Sequence, residues 1–321
     1  MRRALLSGLT AVALLAAACG SSGSPPSSGS GSNRPETIKV GVIPIVDTAP
    51  MHLGAAKGFY REQKLDVQLV TVTGGAEAIA QVVSGKLDFA FTNIVSAVLA
   101  RSRGIPLKLV SVGNASTGQE GKDFGGIVVP KGSPITSAAQ LAGKRVAVNN
   151  LKNIGDTSVR ASIRKAGGDA SSVTFVELLF PDMPAALAKK RVDGAFLVEP
   201  FLTIARDQGA TLIASNFVDT APDVPIGVYV TTQSTVTGKA DLTRRFTAAT
   251  KKSLQYAQDH PDETRQALLT YTKITPDIAR RITLPAFPQD INQAAVTTLV
   301  QKMRSDGLLT KDVDLADVLP S

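Results

Sequence analysis

The chain has 321 residues, 43% hydrophobic and 19% charged, which is enough apolar material for one large core or two moderate ones and too much for natural disorder. Aromatic residues make up 5% and Trp is absent, which counts against a base-stacking nucleic-acid reader, and the formal charge of +8 is spread along the chain as a solubility feature. One cysteine excludes an intramolecular disulfide and a cysteine-based metal cluster, and His52 and His260 lie far apart, so neither a metal nor a cofactor is expected.

Residues 1–19 carry Arg2 and Arg3, an apolar run too short to span a bilayer, and small residues ending at Cys19, which is the layout of an export signal. The stretch LAAACG, Leu15 to Gly20, resembles a bacterial lipobox, with Ala16 where leucine is commoner. Cys19 is therefore expected to be the lipidated first residue of a mature protein held at the outer face of the cell membrane. Residues 20–36 are rich in Ser, Gly and Pro, cannot bury enough area to offset their chain entropy, and read as a tether.

From residue 37 strands and helices alternate. TIKVGVIPIV (37–46) reads as a buried strand, and Asp47-Thr48-Ala49-Pro50 opens a helix over 50–58. A strand at 65–72, a helix at 76–84 opened by Gly74-Gly75, a strand through 87–91, a helix at 94–102 capped by Thr92-Asn93, and a strand at 107–112 follow. The pattern then restarts: a strand near Gly125-Gly126, a short helix at 137–141, a strand at 145–149, a helix opening at Asp156-Thr157, a strand at 173–178, a helix to Lys190, and a strand at 192–197 ending in Glu199-Pro200. GKLDFAF (85–91) and KRVDGAF (190–196) echo each other, which suggests two similar lobes. A strand at 226–231 and helices at 241–259, 262–271, 276–283 and 291–306 complete the chain. The predicted class is α/β with largely parallel sheets: lobe 1 over 37–126, lobe 2 over 127–225, and a return to lobe 1 with C-terminal helices over 226–321. Two crossings, near Gly126 and Ile226, would make a hinge.

The blocks VGVIPIVDTAPMHLGAAKGFYREQKLDV, GGAEAIAQVVSGKLDFAFTN, LAGKRVAVNN and FPDMPAALAKKRVDGAFLVEPF resemble, in order, those of the NitT/TauT (SsuA/THI5-like, NMT1) substrate-binding proteins of ABC transporters. The resemblance covers residues 39–201 and implies a two-lobed type II periplasmic-binding-protein fold that closes on a ligand and delivers it to a membrane permease.

In such a fold, contacts come from strand ends and helix N-termini. The candidates are Asp47, Thr48, Gly74, Gly75, Thr92 and Asn93 in lobe 1, and Asn150, Asp156, Thr157 and Glu199 in lobe 2. Asp88 and Asp193 are expected to fix turns, and Tyr60, Phe91, Phe180, Phe201 and Tyr229 to serve mainly as core. Family members carry nitrate, taurine, alkanesulfonates or thiamine pyrimidines. Helix N-termini would suit an anion, whereas Asp47 and Glu199 together favour a pyrimidine or an amine- or hydroxyl-rich ligand. No catalytic motif is present, so an enzyme is not expected; a secreted hydrolase using Asp47 and Glu199 is the alternative of another class. The expected partners are a small ligand, a permease and the membrane through its lipid anchor, without nucleic acid and as a monomer.

Overall fold

The computed structural model describes residues 34–320. The export signal, Cys19 and most of the tether lie outside the described residues. The first lobe opens with β1 (Glu36–Val42), whose Val and Ile residues bury it between layers, followed by a 3-10 turn at Val46–Thr48 and α1 (Ala49–Lys57). Pro50 sits in the first turn of α1, where its missing N–H is not needed, and Gly58 ends the helix at φ 83°, a left-handed value that glycine adopts without steric penalty. Then come α2 (Phe59–Glu62), β2 (Leu65–Thr71), α3 (Gly75–Val83), β3 (Phe89–Asn93), α4 (Ile94–Ser102) and β4 (Leu107–Val112).

The second lobe contains β5 (Gly125–Val129), β6 (Arg145–Val148), α5 (Ile154–Lys165), β7 (Thr174–Glu177), α6 (Met183–Ala188), β8 (Gly194–Val198), α7 (Phe201–Asp207), β9 (Thr211–Ala214) and α8 (Asn216–Thr220). The chain then returns through β10 (Gly227–Thr232) to α9 (Gln233–Gly238), α10 (Ala240–Asp259), α11 (Pro261–Ala267), α12 (Pro276–Arg281), α13 (Gln293–Ser305) and α14 (Leu315–Val318). Helix α10 packs on the first lobe, where Phe246 stacks on Phe89 at 3.9 Å and Thr250 meets the Tyr60 hydroxyl at 3.2 Å.

The two sheets have matching orders, β2-β1-β3-β10-β4 and β7-β6-β8-β5-β9. The fourth strand of each, β10 or β5, runs antiparallel to both neighbours and is the first strand met after the chain changes lobe. The expectation of largely parallel sheets is corrected at these two strands. Gly126 lies inside β5, so the first crossing precedes it, in residues 113–124. Residues 201–225, to which sequence reading assigned no element, hold α7, β9 and α8. The repeated aspartates do the same structural task in both lobes. Asp88 Oδ2 accepts the Lys39 N–H at 2.9 Å and Asp193 Oδ2 the Arg145 N–H at 2.8 Å, tying the turns before β3 and β8 to the neighbouring strands β1 and β6. Tyr60, Phe91, Phe180 and Tyr229 are buried, and Phe201 is half-buried.

Candidate functional site at the lobe junction

Two crossing segments join the lobes and pair with each other. The Ser116 N–H donates to the Val224 carbonyl at 3.0 Å and the Ile226 N–H to the Asn114 carbonyl at 3.1 Å, while Ala115 exchanges backbone bonds of 2.9 and 3.1 Å with Ala286. Above these segments the N-termini of α4 and α5 meet. Asn93 caps α4 by accepting the Ser96 N–H at 2.9 Å, and its Nδ2 donates 2.6 Å across the junction to Asn153 Oδ1. Asn153 caps α5 through the Ile154 N–H and returns a bond from Nδ2 to Ser96 Oγ at 3.0 Å. The sequence reading opened this helix at Asp156-Thr157, two residues late, because it passed over Asn153 as a cap. Asn153 and Ser96 were missed as junction residues; an Asn just before an apolar helix start was the available signal.

The Val46 N–H donates to the Glu199 carbonyl at 3.0 Å, which brings the residue before Asp47 against the second lobe. Asp47 is buried: Oδ1 accepts from Asn114 Nδ2 at 2.7 Å, and Oδ2 has no partner in the protein. Burial pushes its carboxyl up to about 7 against the lowering pull of Asn114. Glu199 is also pushed up to about 7 by burial, although Thr203 donates to it through both N–H (3.0 Å) and hydroxyl (2.8 Å). Behind Asp47, His52 stacks on Tyr271 at 3.7 Å and is lowered to about 4 by burial.

The candidates fall into groups. Thr48 spends its hydroxyl on the carbonyls of Ile43 and Ile45 and does not cap α1, contrary to the expected opening of that helix. Asn93 is fully engaged in the cap and the junction. Thr92 Oγ1, Asn149 Oδ1 and Asn150 Oδ1 are buried without a partner, like Asp47 Oδ2. Gly74 faces the second lobe so closely that a Cβ would lie 2.1 Å from Asn150 Oδ1. Asp156 and Thr157 instead line a cavity of about 510 Å³ between α4, α5 and the segment after α13, together with Arg103, Arg160 and Asp306. Among the described residues, no group of three or more His, Cys, Asp or Glu is placed to hold a metal, and no helix is long and apolar enough to cross a membrane.

The NMT1/THI5-like family profile matches residues 46–264, which spans Asp47, both crossings and Glu199. The chain belongs to the NMT1/THI5-like family. A formylaminopyrimidine-binding protein of Halalkalibacterium halodurans is 22% identical over 261 residues, 79% of this chain and 73% of that protein. A Saccharomyces cerevisiae 4-amino-5-hydroxymethyl-2-methylpyrimidine phosphate synthase is 33% identical over 98 residues, 30% of this chain and 27% of the yeast protein. Among solved structures, the ligand-binding component of an ABC-type import system from Staphylococcus aureus superposes with a TM-score of 0.77 at 17% identity, covering 89% of this chain and 96% of the other. The NMT1/THI5-like chain thus has the periplasmic-binding-protein fold.

The buried groups of this NMT1/THI5-like junction make stability depend on pH. Asp47 and Glu199 rise from 3.8 and 4.5 to about 7 on folding, so the folded chain binds more protons than the unfolded one between those values and loses stability as pH climbs through them. His52, lowered from 6.5 to about 4, gains stability with pH over that window, and the two acids outweigh it. The melting temperature of the ligand-free protein is expected to fall by roughly 3–6 °C between about pH 5 and pH 7.5. Calorimetry at fixed ionic strength reads this, and a melting temperature that rises over the interval would contradict it.

Proposed function

We propose that this protein is the extracytoplasmic solute-binding component of an ABC importer, anchored by a lipid on Cys19, and that its ligand is an aminopyrimidine of the thiamine-precursor type. The observation that carries the ligand class is the set of buried junction atoms without protein partners. Asp47 Oδ2, Asn149 Oδ1 and Asn150 Oδ1 are acceptors and Thr92 Oγ1 can act as one, beside the second carboxylate of Glu199. Acceptors taken out of water need donors, which an amino-substituted ring supplies and nitrate or a sulfonate does not. The formylaminopyrimidine-binding relative supports the same class. Capture works by closure: the lobes turn on the paired crossing segments, and the Asn93–Asn153–Ser96 bonds hold them together around the ligand. The protein then passes its ligand unchanged to a permease, acting alone as a monomer and without catalysis.

The test is a thermal-shift and calorimetric screen of the protein against formylaminopyrimidine, 4-amino-5-hydroxymethyl-2-methylpyrimidine, nitrate, taurine and alkanesulfonates, with recovery of each compound. Stabilisation by a pyrimidine recovered intact is the expected result. Stabilisation by nitrate or an alkanesulfonate alone would overturn the donor-rich reading, and conversion of the pyrimidine would overturn the assignment as a carrier. Cys19→Ser is expected to release the protein from the membrane fraction; retention there would refute the lipid anchor. Asn153→Ala removes a helix cap and the bonds across the junction together. It is expected to weaken pyrimidine binding about tenfold, and an unchanged Kd would show that these bonds do not contribute to closure.

A further inference from the structure

Asn114 belongs to none of the sequence patterns, yet it is fully buried where three parts of the molecule meet. Its Nδ2 donates to Asp47 Oδ1 at 2.7 Å and its Oδ1 accepts the Gly227 N–H at 2.6 Å. Its backbone carbonyl accepts the Ile226 N–H, and its backbone N–H donates to the Gly227 carbonyl at 3.2 Å. One side chain therefore joins the junction carboxylate, the first crossing segment and the strand that receives the second. There is no room for a longer residue opposite, since a Cβ on Gly227 would fall 2.6 Å from Asn114 Oδ1.

The other titratable groups around Asp47 are Asp123 from the first crossing segment, Tyr229 from β10, Tyr271 after α11 and, through the Val46 bond, Glu199 from the second lobe. His52 of α1 stacks on Tyr271 and, lowered to about 4 by burial, is neutral near pH 7, so none of these groups is a cation there. The hydrogen bond from Asn114 is the largest influence that favours the charged form of Asp47, acting against burial and against Asp123.

We infer that Asn114 is the positioning residue for Asp47: its amide aligns the carboxyl group and ties it to both strands by which the lobes are joined. A ligand that engages Oδ2 then pulls on a carboxylate already coupled to the crossing segments. This rests on the reading of Asp47 as a ligand contact.

The decisive variant is Asn114→Asp. It keeps the side-chain volume and an acceptor for the Gly227 N–H, and replaces the donor to Asp47 with a second carboxyl; Asn114→Ala, which removes the donor and adds no charge, is titrated beside it and should also raise the Asp47 midpoint. Carbon-13 NMR titration of the aspartate carboxyls in the ligand-free full chain, with Asp47 assigned by Asp47→Asn, is expected to show its midpoint raised by about one pH unit or more. Formylaminopyrimidine binding at about pH 7 should weaken by about ten- to hundredfold. The double variant Asp47→Asn, Asn114→Asp restores a donor–acceptor pair with reversed polarity and should melt several degrees above the less stable single variant, about 3 °C or more. It should do so even where that single variant fails to fold. An unchanged Asp47 midpoint in Asn114→Asp, or a double variant no more stable than the worse single, would overturn the inference. Failure of the unaltered protein to bind the pyrimidine would instead overturn the proposed ligand, leaving the titration and the rescue to decide the role of Asn114.

Discussion

Asp47→Asn and Glu199→Gln are each expected to weaken formylaminopyrimidine binding by about ten- to hundredfold, the range set by losing one hydrogen bond to a charged group. Both changes keep side-chain shape, so the fold should survive. In Glu199→Gln the amide oxygen can still accept the Thr203 N–H and its NH2 can donate to the Thr203 hydroxyl, while the long 3.4 Å bond from the Thr283 N–H to Oε1 is lost. In Asp47→Asn the oxygen keeps its bond from Asn114, and a donor stands where Oδ2 had no partner. That replacement has opposite signs for the two ligand classes. A donor facing the pyrimidine's own donors should reduce affinity, whereas nitrate or a sulfonate would bind better once a negative charge is gone. Titration calorimetry of both variants against both classes reads the sign directly, and unchanged pyrimidine affinity in the two variants would place the ligand elsewhere.

Gly75→Ala should affect both stability and binding. A Cβ at Gly75 would lie 2.5 Å from Thr92 Oγ1, 3.0 Å from Ser96 Oγ and 3.2 Å from Asn93 Nδ2. All three neighbours are buried, and Thr92 is branched at Cβ, so either the start of α3 or the Asn93 cap must shift. Overpacking of this kind costs about 1–3 kcal/mol, and displacing Asn93 also loosens its bond to Asn153. The expected result is a melting temperature lower by roughly 3–10 °C with a Kd weakened more than about tenfold. Gly74→Ala provides the contrast. At φ −179° its backbone is extended and suits any residue, and the obstacle is the end of the Asn150 side chain in the opposite lobe. It should leave the melting temperature of the ligand-free protein within a few degrees and act on closure. Equal melting temperatures for the unaltered protein and Gly75→Ala would show that α3 can accommodate the methyl without the shift argued here.

Sequence reading succeeded where a local signal and the final structure agree. Residues 94–102 were bounded as they stand in α4 because Asn93 is a true cap followed by an apolar run. Asp88 and Asp193 were placed as residues that fix the turn into their strand, and their bonds to the Lys39 and Arg145 N–H groups show it. What was not legible depends on pairing between distant segments. The antiparallel insertion of β10 and β5 leaves no mark in their Val-rich sequences, since direction is set by where the chain comes from. Short elements such as β9 and α8, whose residues are partly polar, lack a period long enough to register. The site was half legible: Asp47 and Glu199 could be picked as carboxylates at strand ends, but Asn114, a lone Asn in a loop, acquires meaning only beside Asp47 and Gly227.

The placement of β10 between β3 and β4 constrains the order in which the molecule can be made. All strands of the second sheet lie in one continuous stretch, from β5 to β9, so this lobe has its whole sheet once residue 214 has been synthesised and its last helix, α8, by residue 220. The first sheet keeps a gap between β3 and β4 until residues 227–232 arrive, and these come after the whole of the other lobe. The N-terminal lobe must therefore wait, with two unpaired inner strand edges, for a strand encoded more than a hundred residues downstream of β4. During export the second lobe should become protease-resistant first, and a chain ending just before Gly227 should hold one finished lobe and one unfinished one.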